Sequence, residues 1–177
     1  MAVARLPLTL LRSLTVSAPT GINRPSHLAA ARGCNQAAFT QNALIELHLD
    51  AVLNAISSGN AIPATAVRKI RPYDLGKAKG VPLGFTDAAA LPDGSWVFTA
   101  AAEATDNSYQ DGAVVGAGIG VVNWAGDIVQ FYTLDADYKL EGIAANRQAD
   151  GKIELLLVTD ADDPDTPASL LTASLPH

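Results

Sequence analysis

Cysteine is nearly absent. Cys34 is the single thiol in 177 residues, so the chain can form neither an internal disulfide nor the cysteine cluster of a structural zinc site. Cys34 itself reads as a small apolar residue rather than a nucleophile. Positive charge is also short. The 12 Lys and Arg face 18 Asp and Glu, a formal charge of −6, which is the wrong sign for gripping nucleic acid or acidic lipid through phosphates. No apolar run approaches the ~20 residues of a membrane span. Arg12 interrupts the stretch Met1–Val16, which otherwise has the look of a signal peptide. The expectation is a cytoplasmic protein without nucleic-acid or membrane partners. Aromatics make up 6% and apolar residues 49%, so the core must be built largely from Ala and aliphatic side chains.

Familiar catalytic patterns are missing too. There is no His-Glu-x-x-His, no Gly-x-Ser-x-Gly and no phosphate loop, and the three histidines (His27, His48 and His177) are scattered. Gly116-Ala117-Gly118-Ile119-Gly120 touches the dinucleotide pattern, but Val121-Val122 continues it as strand rather than helix. Its glycines are expected to permit close sheet approach.

What is present is a series of short β-type runs. Gly84–Leu91 and Ser95–Glu103 flank Pro92-Asp93-Gly94, a strong hairpin signal. Gly116–Val122 and Ile128–Leu134 flank Asn123–Asp127, a second hairpin. The pattern then restarts, with Leu140–Ala145, the Asp150-Gly151 turn, Lys152–Asp160, an acidic loop to Pro167, and Ala168–Ala173. Asp93 and Asp150 lie 57 residues apart, as do Glu103 and Asp160. A repeated four-stranded unit of about this length suits a β-propeller blade. Trp96-Val97-Phe98 and Leu155–Val158 are apolar on both strand faces, as expected of sheets covered on both sides. A β-sandwich is the alternative.

Upstream, Ala43–Leu49 reads as a strand, with Asp50 capping a helical turn over Ala51–Ile56; a continuous helix from Asn42 to Ile56 is the competing assignment. Ala66–Tyr73 reads as an outermost strand. Its Arg68, Lys69 and Arg71, extended by Lys77 and Lys79, either protect an exposed edge or bind phosphate. The N-terminal run Leu6–Val16 lacks a partner, and the last unit lacks its fourth strand, so the N-terminus is expected to close that unit. The fold class is therefore all-β: one incomplete propeller-type domain over 1–177, with an irregular junction at 17–42.

Several segments resemble an uncharacterised family of bacterial β-propeller-like proteins and, more distantly, the esterase-like propeller domain of phytase-related proteins. They are Arg24-Pro25-Ser26-His27-Leu28, Asn42–Leu47, Tyr73-Asp74-Leu75-Gly76, Gly80–Ala89, Leu91–Gly94, Asp106–Tyr109 with Asp111-Gly112, Glu141–Ala144 and Val158–Pro164. The resemblance implies longer relatives, whose first and middle blades lie between the Pro-Ser-His and Asn-Ala-Leu segments. Only Ala29–Gln41 separates those segments here, so the chain looks internally shortened near Gly33–Phe39. It then holds about two and a half blades, against about four or more in closed propellers. An open stack of sheets is implied, self-associating through exposed faces and blade edges, or else a shortened gene product with no function of its own.

The chemistry rests on carboxylates. In an antiparallel blade the entry to the first strand and the exit of the second share one end. Asp87 and Glu141 sit near first-strand entries, and Glu103 and Asp160 at second-strand exits, so all four are expected on one face. Asp93 and Asp150 belong to the other. Loop oxygens of Asp106, Asn107, Asp111, Asp162, Asp163 and Asp165 add to the first face. Oxygen-only ligands suit a hard cation such as Ca²⁺, although Asp and Asn also serve loops by bonding turn backbone. The expected function is a binding module whose acidic face takes a divalent cation or small polar ligand. The alternative is a Ca²⁺-assisted ester or phosphoester hydrolase with Glu141 or Asp87 as general base.

Overall fold

The structure, a computed structural model, describes residues 4–5, 9–10, 29–31, 42–104, 113–134, 138–160, 162–163 and 165–176. In chain order the elements begin with β1 (Ala4–Arg5), β2 (Thr9–Leu10), β3 (Ala29–Ala31), β4 (Asn42–Leu47), α1 (Leu49–Ser57) and β5 (Val67–Tyr73). Then follow β6 (Lys77–Ala78), β7 (Val81–Pro82), β8 (Gly84–Ala90), β9 (Trp96–Ala104) and β10 (Ala113–Val122). Last come β11 (Ile128–Thr133), β12 (Leu140–Arg147), β13 (Ile153–Thr159) and β14 (Leu170–Leu175).

The strands form three main sheets. The central sheet has the order β1-β11-β10-β9-β8, the C-terminal sheet β12-β13-β14-β2 and the N-terminal sheet β3-β4-β5; β6 and β7 make a small ribbon. Both larger sheets are antiparallel meanders, except that β1 joins β11 in parallel. The C-terminal sheet obtains its fourth strand from the N-terminal run, with Leu10 opposite Leu171 and Thr9 opposite Thr172. Cys34, most of the 17–42 junction and the proposed shortening near Gly33–Phe39 lie outside the described residues.

Three hairpins share one loop design. Leu91 N–H bonds Ser95 O while Gly94 N–H bonds Leu91 O; Asn123, Gly126 and Asp127 repeat this, as do Gln148, Gly151 and Lys152. This is a three-residue loop ending in a left-handed residue, and Gly94, Gly126 and Gly151 take φ of 81°, 87° and 86°. The Asp-Gly repeat seen in the sequence is therefore a repeat of loop geometry. The middle hairpin uses the same loop with Ala125-Gly126.

The central sheet is buried on both faces. Val97, Ile119 and Val121 pack with Leu140, Ile153, Leu155 and Leu157 of the C-terminal sheet. Trp96, Phe98, Ala100 and Ala102 pack with Leu44, Tyr73 and Leu83 on the other side. Alternation along β9 thus divides its side chains between two cores, which accounts for a sequence that is apolar apart from Thr99 and Glu103. On the second face Phe85 stands edge-on to Phe98 with centroids 4.9 Å apart, and Tyr73 edge-on to Phe85 at 5.8 Å. Such pairs add about 0.5–1.5 kcal/mol each beyond their buried area. Room for these rings comes from β10: a Cβ at Gly120 would run into the ring of Phe98. The glycine run is therefore strand packing and not a cofactor loop.

The Ala43–Ile56 region is a strand followed by a helix, as read from the sequence, and not the competing single helix. Two expectations need correction. Asp50 lies in the first turn of α1, behind His48 at the cap position, which caps through no side-chain bond; the acid there favours the helix through its dipole. The apolar run of β13 is covered on one face only. Ile153, Leu155 and Leu157 are buried, whereas Leu156 is half-buried and Val158 is 38% exposed.

Candidate functional site

Glu103, near the end of β9, is 2% exposed. Its β12-side neighbour is Lys139, itself 9% exposed, whose Nζ stands 4.0 Å from Glu103 Oε1 and 3.7 Å from Glu141 Oε1. Lys139 Nζ also pairs with Asp162 Oδ2 and donates a hydrogen bond to it. Glu141 and Asp162 keep about a third of their side-chain surface in solvent. One ammonium therefore serves three carboxylates, and the rim keeps a surplus of negative charge. The buried half of the cluster is the Lys139–Glu103 pair; the accessible half is Glu141 and Asp162.

The main chain locks this corner. Asp160 N–H donates to Lys139 O at 3.0 Å, and the Asp160 carboxylate accepts from Asp162 N at 2.9 Å. Asp163 accepts from Thr166 Oγ1 at 2.7 Å and Asp165 N at 3.0 Å; these bonds hold its carboxyl below the usual range. The loop acids Asp160 and Asp163 thus spend oxygens on turn geometry, as short acidic side chains commonly do.

Asp87 stands apart from that cluster. A bulge in β8, between Phe85 and Ala88, sets Thr86 and Asp87 against Thr99 of β9, whose hydroxyl accepts from Thr86 Oγ1 at 2.7 Å and Asp87 N at 3.1 Å. Bulges re-aim side chains, and this one points the carboxylate across the sheet boundary. Its Oδ2 accepts from Ile143 N at 2.9 Å and its Oδ1 from Ala88 N at 2.7 Å. Gly142, just before Ile143, leaves room within its own sheet, where a Cβ would lie 2.5 Å from Val158 Cγ1 of β13. Asp87 is thus a clasp between the first strands of two sheets. Asn42 does the same on the other side of the central sheet, donating to Leu83 O at 2.8 Å and accepting from Phe85 N at 2.9 Å.

Of the four predicted ligands, Glu103 and Glu141 meet at Lys139, Asp160 shapes the loop beside them, and Asp87 is turned to backbone. Asp106, Asn107 and Asp111 lie outside the described residues. Among the described residues, no three His, Cys, Asp or Glu side chains are grouped to hold a metal ion. Lys139 is the residue that sequence reasoning missed. Its signal was its spacing: Lys139 and Glu141 flank Leu140 and so share one side of an extended chain.

At the far end of the strands, Arg147 Nη2 pairs with Asp93 Oδ2 at 3.2 Å and bonds Ser95 Oγ, while its Nη1 reaches Gly151 O. This tie joins the two Asp-Gly turns. The basic edge is likewise occupied in part: Arg71 pairs with Asp127 at 2.7 Å, bonds Ala125 O and lies over the Tyr73 ring. A cleft of about 270 Å³ is lined by Asn42, Tyr73, Asp74 and Lys77 and by none of the predicted ligands.

No curated protein and no solved structure matches the chain. No helix among the described residues is long and apolar enough to cross a membrane. Residues 24–164, which carry Asp87, Lys139 and all the carboxylates discussed except Asp165, match a family of unknown function, DUF6910, and the chain belongs to that family.

Proposed function

We propose that the chain is a propeller-type binding module without turnover, whose rim at Glu141 and Asp162 takes a small cationic ligand: a divalent cation or a compact polar molecule bearing an ammonium group. The observation that carries the reading is the charge imbalance around Lys139. The single ammonium faces three carboxylates, so the rim keeps net negative charge, and Glu141 and Asp162 hold about a third of their side-chain surface where a ligand can reach it. The blade reading draws support from the paired meanders, the N-terminal strand on β14 and the Asp87 and Asn42 clasps that tie the central sheet to its neighbours on either side. A cation shared between Glu103 and Glu141 would compete with Lys139, so Ca²⁺ is assigned to the outer oxygens, which suit a hard ion. The hydrolase alternative asks for a base that solvent can reach. Asp87 gives both carboxylate oxygens to backbone N–H groups, which leaves Glu141 as the base to test.

Calorimetry and thermal melts with Ca²⁺, and with a small diamine, test the proposal on the full chain. A probe at ~100 times its dissociation constant adds about 2.7 kcal/mol of stability, and Glu141→Gln should remove most of that gain. Neither probe binding at millimolar concentration overturns the proposal. Turnover of generic ester, lactone or phosphoester substrates that Ca²⁺ raises and Glu141→Gln abolishes would replace it with the hydrolase.

A further inference from the structure

The cleft beside the N-terminal sheet has a fixed floor. Asn42 and Leu83 are buried, and the Asn42 amide that joins Leu83 O to Phe85 N holds the two together. Tyr73, also buried, is anchored at its hydroxyl by Gly126 O at 2.7 Å and at its ring by edge contact with Phe85. A further wall is the ribbon of β6 and β7, where Lys77 stands opposite Pro82 and Ala78 opposite Val81. Alternation sends Ala78 and Val81 against the second core. Lys77 and Pro82 are thereby left to line the cleft.

Asp74 and Lys77 are the charged side chains of this lining, and they form no ion pair with each other. Asp74 Oδ1 accepts from Gly76 N at 2.9 Å, which aims the carboxylate and leaves Oδ2 to solvent. The turn is pinned by Leu83 N–H on Gly76 O at 3.0 Å. It also needs Gly76, whose φ of 77° is left-handed. A Cβ there would meet nothing within 4 Å, so the space beside the turn is open. Among the described residues, Lys77 Nζ engages no hydrogen-bond or ion-pair partner.

Small-molecule sites combine a preformed apolar surface with a few convergent polar groups. Tyr73, Pro82 and Leu83 supply the surface here, and the polar groups are one aimed carboxylate and one unengaged ammonium. A lone anion would meet Asp74 and a lone cation would meet Lys77; a molecule carrying both charges satisfies both. We infer that the cleft takes a compact zwitterion, a free α-amino acid with an apolar side chain, its carboxylate on Lys77 and its ammonium on Asp74 Oδ2. The volume of about 270 Å³ lies just below the ~300–1,000 Å³ of drug-sized pockets, which suits so small a ligand. No rim carboxylate takes part, so the inference is independent of the cation reading.

Calorimetry of the full chain with L-leucine is the test, beside N-acetyl-leucine and leucinamide, which each lack one charge. L-Leucine should bind, and each derivative should bind about tenfold more weakly or worse, having lost a charge-assisted hydrogen bond. Lys77→Met and Asp74→Asn should each weaken leucine by a similar factor. The asparagine keeps an oxygen for Gly76 N–H, so the turn survives, and circular dichroism establishes that both variants are folded. Absence of leucine binding at millimolar concentration overturns the inference, as does binding indifferent to the loss of either charge. Leucine binding that survives both cleft variants and falls in Glu141→Gln belongs to the rim; it overturns the cleft site and leaves the rim reading standing.

Discussion

Lys139→Met removes one charge while keeping an unbranched side chain that fits the same channel. The consequence falls mainly on Glu103. Glu141 and Asp162 are screened by the water that reaches about a third of their surface, and exposed pairs of that kind contribute ~1 kcal/mol or less. Glu103 is 2% exposed, so water cannot replace the ammonium 4.0 Å away. At that separation a pair of unit charges interacts by about 4 kcal/mol at an effective dielectric constant near 20. Stranding one member of a buried pair costs about 3–5 kcal/mol in measured cases. For a chain of this length each kcal/mol moves the melting temperature by ~2–4 °C, so Lys139→Met should melt roughly 10 °C early. Trp96, 3% exposed, reports that loss by fluorescence, against the permanently exposed Trp124. Glu103→Gln in the Lys139→Met background should recover at least half of the loss, because a neutral amide no longer demands a counter-ion. A cost below ~1 kcal/mol for Lys139→Met, or no recovery in the double variant, would refute the assignment of Lys139 as the charge that permits Glu103 to be buried.

Two further outcomes are expected. Burial pushes the Asp93 carboxyl up, but the Ser95 hydroxyl and N–H and the Arg147 guanidinium outweigh it and hold the group below its usual value. A carboxyl depressed in the folded state contributes stability above the unfolded value, near 3.9, and loses it as pH falls through the folded value. Asp93→Asn should therefore be less stable than the parent at pH 7, with the difference closing below about pH 4; a difference independent of pH from 7 to 2 counts against the ionic tie. Removing residues 1–16 strips Thr9–Leu10 from β14 and leaves that strand as a bare edge, so the melt should fall by about 5 °C or more, whereas an unchanged melt would remove the N-terminal strand from the fold.

The elements most legible in the sequence were those whose local chemistry agrees with their packing. The Asp-Gly turns need a left-handed residue and have glycine there, and β9 is apolar at every position but Thr99 and Glu103 because both its faces are covered. The misreadings come from places where a local pattern serves two masters. Asp50 has the chemistry of a helix cap, but the helix starts at Leu49, so His48 takes the cap position and the acid falls in the first turn. In β13, Leu155-Leu156-Leu157-Val158 signals cover on both faces, and among the described residues only the face of Ile153, Leu155 and Leu157 is buried.

The site was legible to the level of which end of the sheets holds the acids, because strand direction alone sets that. Glu103, Glu141 and Asp160 do lie together, and Asp93 meets Arg147 at the opposite end. What strand counting cannot supply is the direction of each carboxylate once there. Asp87 is deflected by a bulge that exists because Thr99 offers a hydroxyl to Thr86 and to Asp87 N, a three-residue arrangement with no signature in spacing. The ammonium at the centre was hidden for a different reason. Lys is ordinarily read as surface solvation, and its burial follows only when β9 brings the buried Glu103 against it. A carboxylate that the fold must bury selects its own cation from the chain, and Lys139 beside Leu140 stands where the register of β12 on β13 delivers one.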